Sequence, residues 1–292
     1  MRIGILTRNA NAWAPQQLKA SCIKLGVEPF FFRFNDLTAR VNLQKPVTAL
    51  GLNLAVDLSA LIVRPIGRGS IDECVFRIDV LHKLHRLGLT IINNPSAIER
   101  SMDKYYAISL LNEHGIPVPR TIVTESPASA LEAFDELGGD VVCKPMFGAR
   151  GLGVTRLTDR ETASRVFRAL AFTRNVIYVQ EFIPHGVKDI RAFVVGDGVV
   201  AAMYRVAQSW KTNVAQGAKP IPLNLTGEAM ELAIKSAKLL GCEIAGVDIL
   251  ESKNGFYVVE INSQPGWHGL QSVTSINIAD AIINYVISKV KR

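Results

Sequence analysis

The 292-residue chain contains four cysteines, Cys22, Cys74, Cys143 and Cys242, and no two of them form a CxxC pair. That spacing argues against a disulfide framework and against a cysteine zinc site, and suits single thiols in a reducing, cytoplasmic setting. No apolar run is long enough to span a bilayer, and the first apolar segment, residues 2–7, is too short for a secretory signal and reads as a β-strand. The five histidines have no metal-ligand spacing, and no Ser-His-Asp or Cys-His arrangement can be assembled. Arg8-Asn9-Ala10-Asn11 follows the first strand where a dinucleotide-binding fold would place its glycine fingerprint, which argues against a nicotinamide dehydrogenase. A Walker Gly-Lys-Ser/Thr, a His-Arg-Asp and an Asp-Phe-Gly are also missing.

Hydrophobic residues make up 48% of the chain and charged residues 20%, enough for a real core over two or three modules. The net charge of +7 is dispersed and is not interleaved with aromatics, so a nucleic-acid platform is not expected. The positive excess fits anionic small ligands such as nucleotide phosphates, and equally a generally basic surface.

Strands and helices alternate over residues 1–95, predicting a parallel α/β unit. Strands are expected at 2–7, 29–34, 60–64 and 90–92, with helices at 15–25 and 72–87; the second carries Val75, Ile78, Leu81, Leu84 and His85 at helical spacing. Residues 96–181 form a second block, with helices at 102–111 and 126–137 and strands at 121–124 and 141–145. Ser126 and Pro127 supply a cap and a first-turn proline. Residues 182–292 form a third block: a hairpin over Gly196-Asp197-Gly198, a helix at 228–240, two apolar strands and a closing helix.

The most informative stretch lies in those two strands. Asp248 interrupts one apolar run, and Glu260 and Asn262 interrupt the next before a Pro265-Gly266 turn. Asn254-Gly255 between the runs is a hairpin signal, and strand alternation puts Glu260 and Asn262 on one face. If the hairpin forms, Asp248, Glu260 and Asn262 converge. Carboxylates among Val and Ile are costly unless paired or bound to a cation, and two carboxylates plus an amide carbonyl suit Mg²⁺. Upstream, Gly148, Gly151 and Gly153 form a glycine hairpin after Lys144, which ends a strand; such a loop can cover phosphates that the lysine holds. Gln180, Glu181, Phe182 and Ile183 form a strand edge that can pair with an adenine edge and a ribose. Arg191 and Arg205 sit on paired strands, either as a two-guanidinium clamp for phosphate or carboxylate or as two solvent-facing side chains. Trp210-Lys211-Thr212-Asn213 is a polar loop with one aromatic, placed to contact phosphate and metal or simply to cover the surface; His185 and His268 lie in loops near the proposed site.

Taken in order, Lys144, the 148–153 glycines, Gln180 to Ile183, Asp189-Ile190-Arg191, Lys211-Thr212-Asn213, Asp248 and the Glu260 to Gly266 turn resemble the ATP-grasp ligases of the RimK-like alpha-L-glutamate ligase family. The resemblance covers about residue 93 to the end. It implies an α/β (α+β) ATP-grasp fold behind a Rossmann-like N-terminal domain. It also implies that Lys104 and Lys144 hold ATP phosphates beneath the glycine loop, and that Gln180, Glu181, Phe182 and Ile183 line the adenine and ribose pocket with Asp189 nearby. Lys211 and Asn213 would reach phosphate and metal. Asp248, Glu260 and Asn262 would bind Mg²⁺ (or Mn²⁺), one or two ions, and Arg191 and Arg205 would steady an acyl phosphate as the catalytic arginines. Whole phrases, such as Met102-Asp103-Lys104-Tyr105-Tyr106 and Glu181-Phe182-Ile183-Pro184-His185-Gly186, are most similar to the members that join L-glutamate to tetrahydromethanopterin, a role in cofactor biosynthesis. Sister enzymes use a deazaflavin coenzyme, a peptide or a protein tail as acceptor, and a non-catalytic ATP-binding regulator would keep the same fold. Gln264 and Trp267-His268 depart from the family pattern and bear on the acceptor. Similar ligases often form homo-oligomers.

Overall fold

The computed structural model describes residues 1–67, 69–148, 151–213 and 217–290. The chain begins with β1 (Arg2–Leu6), α1 (Trp13–Lys24) and β2 (Glu28–Phe32). A three-stranded antiparallel sheet follows a 3₁₀ turn at Phe34–Asp36 and consists of β3 (Leu37–Ala39), β4 (Val47–Ala49) and β5 (Leu52–Asn53). Then come α2 (Leu54–Asp57), β6 (Ala60–Val63), α3 (Ile71–Arg86) and β7 (Thr90–Ile92). The expected parallel sheet forms in the order β2-β1-β6-β7, so its order reverses between β1 and β6. Its strands are buried on both faces, with Ile3, Ile5 and Ile62 in one core and Leu6, Leu61 and Val63 in another, which is why they read as continuous apolar runs.

Helix α3 forms as expected, but the spaced residues mark only part of its buried face. Its buried face is Arg77, Val80, Leu81 and Leu84, whereas Val75 is 54% exposed and His85 is also exposed. Arg77 was invisible as a core residue because it is a charge. Its guanidinium lies 5.5 Å from the Phe34 ring centroid and donates to the Ile66 carbonyl, so its apolar stem is buried while its head is satisfied.

The second block contains α4 (Pro95–Met102), α5 (Lys104–Glu113), β8 (Thr121–Thr124), α6 (Pro127–Glu136), β9 (Val141–Lys144), β10 (Thr155–Leu157), α7 (Arg160–Phe172) and β11 (Ile177–Glu181). The helix expected at 102–111 is α5, starting two residues later because Asp103 caps it through the Tyr106 amide, and α4 before it went unread. Ser126 caps α6 through the Ser129 amide with Pro127 in the first turn. The four strands form one antiparallel sheet, β10-β9-β11-β8, packed on α6 and α7 through Phe134 and Phe167.

The third block contains β12 (Lys188–Val195), β13 (Gly198–Val206), β14 (Lys219–Leu223), α8 (Gly227–Leu240), β15 (Ile244–Ser252), β16 (Gly255–Asn262), α9 (His268–Gln271) and α10 (Ile278–Val290). They build the antiparallel sheet β14-β13-β12-β15-β16, with the hairpin between β15 and β16 turning at Lys253-Asn254, one residue before the expected Asn-Gly position, so that Gly255 pairs with Ser252. β14 went unread because Pro220 and Pro222 interrupt it; as an edge strand it tolerates both. One face of the sheet packs against α8 together with Ala107 and Leu111 of α5. The other, through Phe193 and Met203, joins α1, α10 and β1, so Leu18, Ile282, Ile283 and Val286 clamp the third block onto the first, at about 1.5–3 kcal/mol per buried aliphatic side chain. Buried Asn93 pins the same junction. Its Oδ1 accepts from the amides of Glu243 and Ile244, both at 2.8 Å, and its Nδ2 donates to the carbonyls of Ile244 and Ser263. No helix among the described residues is long and apolar enough to cross a membrane.

Candidate active site

The second and third blocks face each other across a cleft. On one wall, β9 runs antiparallel to β11 and delivers Lys144, whose Nζ donates to Gln180 Oε1 at 2.6 Å. Gln180 is buried and cannot rotate freely, because its Nε2 donates to Thr121 Oγ1 at 2.8 Å and to the Tyr178 hydroxyl at 3.2 Å. Lys144 is thus held as a cation facing the cleft. Burial pulls its pKa down to about 8; Glu260 and Asp248 across the cleft oppose that shift and Lys104 adds to it. Lys104, at the start of α5, donates to the carbonyls of Met146 and Gly148 at 3.3 and 3.2 Å and so ties that helix to the base of the glycine hairpin. Gly151 and Gly153 adopt positive φ there, at 69° and 78°. Ala149 and Arg150 of the hairpin, and Val214, Ala215 and Gln216 beyond Asn213, lie outside the described residues.

The opposite wall is a lattice of charges set by strand register. Asp189 lies opposite Arg205, Arg191 opposite Asp248, and Asp248 opposite Glu260. Arg205 forks onto Asp189, with its Nε donating to Oδ1 at 2.7 Å, and reaches Asp248 Oδ2 at 3.1 Å; Arg191 Nη1 lies 2.9 Å from Asp248 Oδ1. Burial alone would lower the pKa of Arg205, but Asp248 and Asp189 more than offset it and hold the guanidinium charged. Burial pushes the Asp189 carboxyl up against the pull of Arg205, and lowers Arg191 against the pull of Asp248. The two arginines are therefore neither solvent-facing nor an empty clamp, because Asp248 sits between them.

The candidate metal residues suit a hard divalent cation. Glu260 has no ion-pair or hydrogen-bond partner among the described residues, although it faces another carboxylate. The Asp248–Arg191 contact is an ion pair without hydrogen-bond geometry, so Asp248 Oδ1 is buried with its lone pairs unsatisfied; Asn262 Nδ2 is likewise buried without a partner. Asp248 and Glu260 are hard oxygen ligands and Asn262 would add its amide oxygen, while its unpartnered Nδ2 is an N–H group that calls for an acceptor. Among the described residues no group of three or more His, Cys, Asp and Glu is gathered for a metal, and the third member here is an amide.

Lys104, Lys144, Gly148 and Gly151 line the cleft from one side, and Asp189, Arg205, Asp248 and Glu260 from the other. Gln180, Glu181, Phe182 and Ile183 close its end, with Lys211 and Asn213 from the polar loop. Gly153, Arg191 and Asn262 do not reach the cavity wall. The Glu181 carboxylate is occupied by Arg120, which donates from its backbone amide and from Nε, both at 2.7 Å, so ribose would compete with that pair. Phe182 is held between Arg156, 3.5 Å above its ring, and an edge-on Trp210 at 5.8 Å. His185 lines the cleft with its Nδ1 3.0 Å from the Lys188 carbonyl, whereas His268 packs on Trp13 away from it. The supports Thr121, Tyr178, Arg120 and Arg156 went unread, because each works through a partner distant in sequence.

Two antiparallel sheets closing on a cleft, one bearing a lysine and a glycine hairpin and the other paired carboxylates and arginines, define an ATP-grasp ligase. Residues 101–286 match the RimK-like ATP-grasp domain, and the chain belongs to that family. It is 35% identical over 296 residues to the tetrahydromethanopterin:alpha-L-glutamate ligase of Methanococcus maripaludis, covering 100% of this chain and 99% of that one. The Methanocaldococcus jannaschii protein of the same name is 36% identical over 298 residues, with complete coverage of both chains. Among solved structures, the ATP-grasp ligase PsnB complexed with minimal precursor, Mg and ADP superposes with a TM-score of 0.77 at 20% identity, covering 99% of this chain and 98% of that one.

Proposed function

We propose that this enzyme is an ATP- and Mg²⁺-dependent alpha-L-glutamate ligase that joins L-glutamate to the carboxylate of tetrahydromethanopterin. The supporting observation is the placement of Lys144, held on Gln180, across one cleft from the facing carboxylates Asp248 and Glu260. Full-length similarity to two tetrahydromethanopterin ligases supports the acceptor.

In this reading an acceptor carboxylate oxygen attacks the γ-phosphorus of ATP, and ADP leaves. The glutamate amine then attacks the acyl carbon of the acyl phosphate, expelling phosphate and forming the amide. Lys144 and Lys104 neutralise the phosphates, and the glycine hairpin turns backbone N–H groups toward them. Arg205, fixed by Asp189, stabilises charge on the transferring phosphoryl group, and Arg191 behind it holds Asp248. Asp248, Glu260 and Asn262 would hold Mg²⁺ (or Mn²⁺), which when bound supplies further charge neutralisation at the phosphates. Catalysis is then positioning and electrostatics, in keeping with the lack of a nucleophilic triad. Purified enzyme with ATP, Mg²⁺, glutamate and tetrahydromethanopterin should release ADP and yield a product one glutamyl unit heavier by mass spectrometry. ADP release that needs neither glutamate nor a carboxylate acceptor would defeat the reading.

Lys144 adds a pH signature. It is protonated below about pH 8 and loses its charge above. The kcat/KM for ATP, which reports the free enzyme, should therefore fall as pH rises through about 8, while kcat should hold to higher pH because bound phosphate favours the ammonium. Lys144→Arg should move the alkaline limb upward, since a guanidinium stays charged there. The folded pKa lies below the unfolded value, so the native state binds fewer protons between about 8 and 10.5, and the stability contribution of this group increases with pH across that window.

A further inference from the structure

Strand parity gathers Thr121, Lys144, Tyr178 and Gln180 on one face of the second sheet. Tyr178 and Gln180 are two apart on β11, Thr121 of β8 lies directly opposite Gln180, and Lys144 of β9 lies directly opposite Tyr178. Their hydrogen bonds run in one direction, and a backbone carbonyl sets it. The Pro119 carbonyl can only accept, and the Thr121 hydroxyl donates its proton there at 2.9 Å. Thr121 Oγ1 is left as an acceptor and takes an N–H from Gln180 Nε2 at 2.8 Å. That turns Gln180 Oε1 the other way, onto the Lys144 ammonium at 2.6 Å, which can only donate. A turned-over amide would set N–H against ammonium at one end and draw the Thr121 proton away from Pro119 at the other. The Tyr178 hydroxyl, 3.2 Å from Nε2, can accept or donate and imposes no direction of its own.

The segment that starts this chain of bonds is also tied to the opposite wall. Strand β16 is the edge of its sheet and uses its outward Val258 amide on the Pro117 carbonyl at 2.9 Å, two residues before Glu260. Proline fixes φ at both 117 and 119, which stiffens the link between α5 and β8. Lys144 is thereby referenced to the strand that carries Glu260, and Glu260 acts on its charge across the cleft. Lys144 and Gln180 line the cleft and Thr121 does not, so any effect of Thr121 on a bound nucleotide passes through Gln180.

Resting on the ligase reading above, we propose that Thr121 is a positioning residue of the nucleotide site, which acts through Gln180 to hold the Lys144 ammonium where it meets the phosphates. Lys104, Asp248 and Glu260 face Lys144, and Glu181, Asp189, His185, Arg205 and Lys211 line the same cleft; changes at Thr121 leave all of these charges in place.

The test is calorimetric binding of MgATP as a function of pH. Thr121→Val, which keeps the shape and removes the hydroxyl, should weaken binding about three- to tenfold near neutral pH, the loss of one hydrogen bond in the chain. It should also move the alkaline loss of affinity to lower pH, because an ammonium deprived of its Oε1 acceptor gives up its proton more readily. Thr121→Ser keeps the hydroxyl and should recover the wild-type profile, with affinity within about twofold. Gln180→Glu offers an acceptor oxygen whichever way it turns, so in that background Thr121→Val should change the affinity by less than about twofold. Wild-type affinity and pH profile in Thr121→Val overturn the proposal. An equal loss with and without Gln180→Glu also overturns it, by marking Thr121 as a support of the strand alone. If Thr121→Val does not fold, Thr121→Ala decides by the same criteria. Wild-type enzyme that binds MgATP without substrate-dependent ADP release overturns the ligase reading, and the same affinities still decide the role of Thr121; wild-type enzyme that does not bind MgATP overturns both.

Discussion

Replacing Glu260 with Gln should lower kcat for acceptor-dependent ADP release by about 10²–10³-fold, the scale of losing one preorganised electrostatic contact to the transferring group. It should leave thermal stability nearly unchanged, because Glu260 has no ion-pair or hydrogen-bond partner to lose among the described residues and it faces the like charge of Asp248. Asp248→Asn makes the contrast. It should abolish activity to a similar extent and also destabilise the fold by about 3–5 kcal/mol, because Arg191 and Arg205 share that carboxylate and would be left under-compensated in a buried site. Melting curves recorded alongside the kinetics separate the two. If Glu260→Gln turns over at the wild-type rate, Glu260 takes no part in the chemistry. If Asp248→Asn melts with the wild type, the arginines do not depend on Asp248.

The hairpin carrying these acids was legible because every local signal agreed: two apolar runs, an Asn-Gly turn between them, and acids where an apolar residue would be expected. Its detail was not. Val259 is an extra residue in the pairing, since Asp248 faces Glu260 while Ile249 faces Val258, and alternation alone cannot reveal such a bulge. The parallel sheet was legible from buried apolar strands, whereas the small sheet of β3, β4 and β5 was not, because strands of two or three residues carry no periodicity. Helix α7 also escaped, burying chiefly Ala163 and Phe167 beneath an otherwise charged surface. In the site, strand parity placed Arg191 and Arg205 on one face, but their commitment to Asp189 and Asp248 depends on which strand lies beside which. That order, β13-β12-β15, is a tertiary fact.

The charge lattice carries the second large prediction. Arg205 neutralises two buried carboxylates, Asp189 by a fork and Asp248 by a single contact. Arg205→Met removes that charge and strands both acids, costing about 3–5 kcal/mol. At about 2–4 °C per kcal/mol for a chain of this size, the midpoint should fall by about 10 °C. The sign of the pH dependence follows from Asp189. Burial already holds its carboxyl above the usual range with Arg205 opposing, so losing Arg205 raises it further. A carboxyl raised in the folded state binds more protons there than in the unfolded chain, so its unfavourable contribution grows as pH rises and fades as pH falls. The gap in melting temperature between Arg205→Met and the wild type should therefore narrow on acidification. Adding Asp189→Leu to Arg205→Met should recover part of the lost stability, since one stranded charge leaves with its partner. It should recover no activity, because the transferring phosphoryl group would still lack its guanidinium. A single variant as stable as the wild type would show that the lattice is not carrying the fold at this point; a double variant with restored turnover would remove Arg205 from the chemistry.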